Sequence, residues 1–169
     1  MSKLLNVSSS PHVRCGVSTK NLMYDVAIAM LPATIWGVMQ FGIYSLIVVV
    51  ATVLSCVLSE YLFETLMHKP VTISDGSALV TGMILGLNMP PAIPLWMPIL
   101  GGVFAIIVVK QLYGGLGQNW MNPALAARCF MLISFAQAMT KFTDPVTDAV
   151  ASATPLAAIK AGDTYDLAA

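Results

Sequence analysis

The sequence predicts an all-α membrane protein with about five transmembrane helices, the third of them short or broken. Two observations carry that expectation. Of 169 residues, 57% are hydrophobic and only 9% are charged, where a soluble domain carries about a quarter charged residues. The charges are also spaced widely: 34 uncharged residues separate Asp25 from Glu60 and another 34 separate Asp75 from Lys110. A spanning helix needs about 20 apolar residues, so each run reads as a helical hairpin. A fifth segment follows, interrupted by Arg128 alone.

The first helix is expected at about 24–40 and the second at about 43–67, with "QFG" as the turn between them. The third, about 76–89, opens after Asp75-Gly76, which reads as a turn and cap. It is stopped by "NMPPAIP", since proline cannot continue the hydrogen-bond ladder. The fourth is expected at about 95–113 and the fifth at about 120–139. Pro32 and Pro98 predict kinks or loosened turns. Gly82 and Gly86, spaced as G-x-x-x-G, suit close helix packing.

Three regions follow: a polar arm over 1–20, a helical membrane domain over 21–140, and a terminal segment over 141–169. Lys3, Arg14 and Lys20 precede the first helix, Lys69 lies after the second, and Lys110 ends the fourth. The positive-inside rule then predicts a cytoplasmic N-terminus in the cell (inner) membrane and an extracytoplasmic segment after residue 140. The N-terminus lacks the apolar core and cleavage site of a signal peptide. Eight basic and eight acidic residues balance, and no basic patch argues for nucleic acid. Cys15, Cys56 and Cys129 stand far apart, without the paired spacing of a zinc or iron–sulfur site.

Four stretches hold the candidate chemistry. In "KQLYGGLGQNWMNPALAARC" (110–129), Gly114 to Gly117 break a helix near membrane depth, which requires protein or a cavity to satisfy the backbone. Asn119 and Asn122 precede Pro123, an early helical position whose neighbours would offer free N–H groups to a polar ligand edge. The competing reading is a glycine-rich turn with an asparagine cap. In "TDPVTDAVASATPLAAIK" (143–160), Thr154 stands among small residues, with Asp148 and Ser152 before it and no histidine to activate it. It is either a helix cap or a residue modified by another enzyme. Glu60, Glu64 and His68 form one helical stripe, read here as the polar face of a helix leaving the membrane with a Glu–His pair at its end, in preference to a metal site. Asp25 belongs either to an ion path or to a helix N-terminus.

Taken together, "SPH" (10–12), "DGSALVTGMILGLNMPP" (75–91), "KQLYGGLGQNWMNPALAAR" (110–128) and "DAVASATPL" (148–156) resemble one family. It is that of the D subunits of the Rnf electron-transport complex, with the B subunits of the sodium-translocating NADH:quinone reductase as more distant relatives. The resemblance covers about residues 10–160. It implies one half of a ten-helix fold built from two inverted repeats, members being about twice this length. It also implies FMN attached through its phosphate to Thr154 by a separate flavin transferase. The acceptor pattern is roughly D-x-x-S/T-G-A-T. Asp148, Ala153 and Thr154 match it, while Ala151 replaces the usual Ser or Thr and Ser152 the usual Gly. A second, non-covalent flavin, riboflavin, is implied beside Gly115, Gly117, Asn119 and Asn122, against side chains such as Trp120.

The function expected from this resemblance is an electron relay in a ferredoxin:NAD oxidoreductase complex that moves Na⁺ or H⁺. Its partners would be subunits of the A, B, C, E and G types. The chain is not itself an NAD site, because no dinucleotide-binding G-x-G-x-x-G follows a strand. Two rival readings stand beside it. One is half of a cofactor-free channel or transporter, to which Asn122-Pro123-Ala124 gives an aquaporin-like note. The other is a structural assembly subunit.

Overall fold

The computed structural model describes residue 16, residues 18–143 and residues 150–151. Helix α1 (Thr19–Phe41) opens on Ser18, whose hydroxyl accepts from the Asn21 amide at 3.3 Å. It runs through Pro32 and ends at Gly42, whose φ of 81° and extended ψ turn the chain at once into α2 (Ile43–Leu66). Glycine tolerates that φ without a Cβ clash. A short 3₁₀ turn (Ile73–Asp75) leads to α3 (Ser77–Leu87). Helix α4 (Trp96–Val103) passes directly into a π-helical stretch, Phe104–Gln111. Helix α5 (Pro123–Ser134) and the single turn α6 (Ala136–Met139) complete the described helices. The strands β1 (Phe142–Thr143) and β2 (Val150–Ala151) pair antiparallel, Phe142 opposite Ala151. Among the described residues the fold is therefore all-α apart from this two-residue pairing.

The helical segments fall close to their expected places, but five full spans do not. Among the described residues, only α1 and α2 are long and apolar enough to cross a membrane. At 1.5 Å per residue, the 11 residues of α3 and the 12 of α5 reach about 17–18 Å, well short of a hydrocarbon core of about 30 Å. Helix α5 stops early because Phe135 leaves helical geometry at φ −135° and ψ 49°. The short segments instead pack on α2 and on one another, so that protein can satisfy their broken ends.

That packing depends on glycine. A Cβ on Gly82 would lie 2.6 Å from the Val53 Cα, and one on Gly86 would lie 2.9 Å from the Val49 Cα. The backbones of α2 and α3 thus touch along the G-x-x-x-G ridge, as the spacing predicted. Helix α4 docks on the same helix: Ser55 donates to the Ile99 carbonyl at 2.8 Å, and a Cβ on Gly102 would meet Ser55 Oγ at 2.8 Å. Leu85, Ile93 and Met131 form a core between α3, α4 and α5. Arg128 ties α5 to the end of α3 by donating to Asn88 Oδ1 at 2.6 Å. Helix α1, by contrast, leaves Ile28, Ile35, Trp36 and Met39 exposed, an apolar face suited to lipid or a partner.

Candidate functional site

A buried polar cluster lies where α2, the start of α3 and the π stretch converge. Glu60 and Lys110 are 0% and 2% exposed, and Lys110 Nζ donates to Glu60 Oε1 at 2.5 Å. The same ammonium donates to Ser77 Oγ at 2.5 Å. Gln111 Nε2 donates to Glu60 Oε1 at 2.9 Å and to Glu64 Oε1 at 3.2 Å. Glu64 is further bound by the Thr72 amide at 3.0 Å and by the Thr72 hydroxyl. Asp75 Oδ1 accepts from the Ser77 amide at 2.9 Å and from Ser77 Oγ at 2.7 Å. Glu60 Oε2 is buried without a hydrogen-bond partner among the described residues.

The local sequence explains the convergence. Glu60 and Glu64, one helical turn apart, share a face of α2. Lys110 and Gln111 are adjacent, yet both are buried, as are Ala105, Ile106 and Val109. A π-helix closes its hydrogen bonds over five residues instead of four, and such turns occur often at functional positions. Here the wider turn lets two neighbouring polar side chains reach the same carboxylate, that of Glu60. The Asp75-Gly76 turn forms as expected: Gly76 sits at φ 77° and Asp75 caps Ser77.

Several expectations need correction. Glu60 and Glu64 are not a solvated face, and His68 is not their partner. Helix α2 ends at Leu66, and His68 lies beyond it, exposed, with φ 53°. Lys110 does lie at the end of the fourth helical segment, as expected, but as the buried partner of Glu60. Asp25 is exposed in the second turn of α1, since that helix starts earlier than expected, and so it does not cap the helix N-terminus.

The glycine–asparagine segment lies beside this cluster. Gly114, Gly115 and Gly117 take φ of 115°, 95° and 87°, values that exclude most side chains and end the helix. Gly115 is buried and Gly117 exposed. Asn119 Nδ2 donates to the Met121 carbonyl at 3.0 Å. Asn122 is the N-cap of α5, its Oδ1 accepting from Ala124 at 3.0 Å and Leu125 at 3.4 Å, with Pro123 at the first helical position. The cap follows the sequence reading. Fewer N–H groups are free than that reading expects, because the Asn122 side chain itself takes two of them.

Two cavities adjoin this segment, and Asn122 lines both. A groove of about 500 Å³ is walled by Phe104, Tyr113, Trp120, Met121, Leu125 and Cys129, with the Tyr113 and Trp120 rings 6.2 Å apart. A smaller pocket of about 150 Å³ has mostly apolar walls, among them Val80, Ile84 and Leu116 and Met23 of α1, into which Ser77, Thr81, Lys110, Asn119 and Asn122 bring polar groups. The pocket therefore joins the asparagines that the sequence singled out to Lys110 and Ser77, which it did not. Gly115 and Gly117 line neither cavity; they serve the turn that carries the asparagines. Thr154, Asp148, Ser152 and Ala153 lie outside the described residues.

A helical, strongly apolar chain with a buried lysine–carboxylate cluster and a glycine-broken segment belongs to the class of helical membrane proteins with charge buried between short helices. More particularly, residues 6–169 match the NQR2, RnfD, RnfE family, and the chain belongs to it. It is 49% identical over 161 residues to the D subunit of the Na⁺-translocating ferredoxin:NAD⁺ oxidoreductase complex of Acetobacterium woodii, covering 95% of this chain and 51% of that one. It is 42% identical over 160 residues to the D subunit of the proton-translocating ferredoxin:NAD⁺ oxidoreductase complex of Clostridium ljungdahlii, covering 93% and 48% respectively. With the D subunit of the ion-translocating oxidoreductase complex of Shewanella denitrificans the identity is 40% over 157 residues, 92% of this chain and 45% of that one. The chain spans about half the length of these curated relatives.

Proposed function

We propose that this chain provides the first half of a membrane subunit in a redox-driven ion-translocating complex of the ferredoxin:NAD⁺ oxidoreductase kind, acting as an electron relay. The observation that carries this reading is the identity of 49% to a relative from such a complex, continuous over 161 residues, with the glycine–asparagine segment and the acceptor-like run both inside the matched range. In the reading, the N-terminus faces the cytoplasm, the short helices complete their crossing with partner protein, and residues after 140 lie outside. The relatives' names differ in the ion moved, Na⁺ or H⁺. Neighbouring subunits of the A, B, C, E and G types would cover the exposed apolar face of α1.

Two flavins complete the reading. FMN is attached through its phosphate to Thr154 by a flavin transferase, with Asp148, Ser152 and Ala153 forming the small, accessible acceptor run. Riboflavin is held non-covalently beside Asn119 and Asn122. Flavin supplies one- and two-electron transfer, and the protein's part is to hold and tune it. The residues present suit such a group. The hydroxyl and amide residues Ser77, Thr81, Asn119 and Asn122 in the smaller, mostly apolar pocket would complement the carbonyl- and nitrogen-rich edge of a ring, and the aromatic groove next to it offers stacking surface. The smaller pocket has room for a ring edge, not a whole tricyclic ring, so the remainder of the ring would be covered by the groove or by neighbouring protein.

The test is in-gel flavin fluorescence of denatured protein produced together with a flavin transferase. Fluorescence in the wild type that disappears in Thr154→Ala supports covalent attachment at this hydroxyl. No fluorescence in the wild type overturns it and favours the cofactor-free channel.

A further inference from the structure

We propose that Asp75, Ser77, Lys110 and Glu60 form a proton relay that loads one proton onto the buried Glu60 carboxylate from the turn before α3. This goes beyond the electron-relay reading and needs no flavin. The hydrogen bonds make one unbroken chain. Ser77 Oγ donates to Asp75 Oδ1 at 2.7 Å, Lys110 Nζ donates to Ser77 Oγ at 2.5 Å, and the same ammonium donates to Glu60 Oε1 at 2.5 Å. Asp75 is half-buried and Glu60 fully buried, so the chain leads from the edge of the fold inward. A hydroxyl both gives and receives a proton, and an ammonium that has given one up can take it back.

Two observations mark Glu60 as the inner end. Its Oε1 accepts from both Lys110 and, at 2.9 Å, Gln111, while Oε2 is buried without a partner among the described residues. An ionised carboxylate carries charge on both oxygens, and leaving one bare away from water is costly. A proton on Oε2 removes that charge and leaves Oε1 free to accept from both donors. The balance of the cluster points the same way. Glu60, Glu64 and Asp75 set three carboxylates against one ammonium, so two negative charges stay unmatched. Glu64 is held by Thr72 and Gln111, and Asp75 by the Ser77 amide and hydroxyl, donors that suit ionised groups. A hard metal cation takes about six oxygen ligands. A proton needs one, and the cluster offers one bare buried oxygen.

In the step, Asp75 takes a proton from water and passes it to Ser77, whose own hydroxyl proton goes to Lys110 as Lys110 gives one to Glu60. Each transfer breaks one bond to hydrogen and forms another, and no electron changes hands. Glu60 ends neutral, its protonated oxygen turned to the unpartnered place. Among the described residues, Glu60 is faced by Lys110 and Gln111 of the π stretch, by Asp75 of the turn through Ser77 of α3, and by Cys56 and Glu64 on α2 itself. Helix α4 brings no titratable side chain.

The experiment records the carboxyl C=O stretch by infrared difference spectroscopy on the complete subunit in its assembled complex. Co-purified partner subunits report assembly. The band is read equally well in a Thr154→Ala form, so failure of the flavin reading leaves this test intact. A step from about pH 8 to about pH 6 leaves a glutamate in water, at about 4.3, ionised. Here we expect the step to raise a protonated-carboxyl band that Glu60→Gln abolishes. In Ser77→Ala the band should still rise, but its exchange into heavy water should slow about 100-fold, and Ser77→Thr should restore most of the rate. A missing band, or one that survives Glu60→Gln, overturns the proposal. A band that Na⁺ suppresses at fixed pH assigns the bare oxygen to a metal cation and overturns it as well. Exchange as fast in Ser77→Ala as in the parent removes the relay. If Glu60→Gln does not assemble, Glu60→Asp decides, since a band that stays unmoved there belongs to another carboxyl and contradicts the proposal.

Discussion

Lys110 Nζ lies 2.5 Å from Glu60 Oε1, although the two residues are separated by 50 positions and both are removed from solvent. This contact fastens the π stretch to α2. Removing one partner leaves an uncompensated buried charge, at a cost of about 3–5 kcal/mol. Replacing both by apolar residues of similar volume is often neutral or stabilising. Lys110→Met alone should therefore lower stability strongly, and adding Glu60→Leu should recover most of the loss. Thermal unfolding of the purified protein in detergent, arranged as a double-mutant cycle, measures the coupling. A double-variant loss equal to the sum of the two single losses would show that the pair does not act as a unit.

A second prediction concerns the contact between α2 and α3. Gly82→Ala pushes a methyl group to within 2.6 Å of the Val53 Cα, and backbone cannot step aside as a flexible side chain can. Overpacking of this kind costs about 1–3 kcal/mol, and Gly86→Ala should behave alike. Gly37, in α1, has no atom within 4 Å of its would-be Cβ. Gly37→Ala should be neutral, or stabilising by up to about 1 kcal/mol through helix propensity. Melting curves for the three variants separate the cases. Similar behaviour of Gly37 and Gly82 would mean that the close approach is not real.

The third prediction divides the two roles of Asn122. Asn122→Ala removes the cap of α5, costing about 1 kcal/mol. Asn122→Asp keeps the capping oxygen and adds a negative charge favourable at a helix N-terminus, but it loses the Nδ2 donor at the border of both cavities. The Asp variant should match the parent in thermal stability and retain less extractable flavin. The Ala variant should fall in both. An Asp variant that holds as much flavin as the parent would leave the amide with a capping role alone.

What the sequence made legible was local. Asn122-Pro123 read as a helix start because cap and proline act within one turn, and Asp75-Gly76 did so for the same reason. Gly82 and Gly86 read as a packing ridge from their spacing. What stayed hidden was long-range. Nothing around Lys110 says that it turns inward, because a lysine after an apolar run is indistinguishable from one at a membrane surface until its partner 50 residues away is known. Its inward turn also depends on a π stretch, which no residue pattern in "FAIIVVKQ" announces. The same long-range dependence misled the count of spans. Apolar runs set how much chain is buried, but whether a run crosses or re-enters depends on which helix it packs against.

The last prediction returns to the acceptor run. The usual pattern places Ser or Thr three residues before the acceptor threonine and Gly two before it, where this chain has Ala151 and Ser152. Glycine leaves the backbone open to a bulky partner at every φ, and an added hydroxyl offers a hydrogen-bond donor and acceptor close to the incoming phosphate. Ala151→Ser with Ser152→Gly should therefore raise the covalent flavin found per polypeptide after production with a transferase, read as in-gel fluorescence against total protein stain. Thr154→Ala must abolish that gain if the phosphoester forms at this hydroxyl. Fluorescence that persists without Thr154 would instead assign attachment to another hydroxyl, with Thr143, Thr147 and the hydroxyl introduced at position 151 as the neighbours to be replaced in turn.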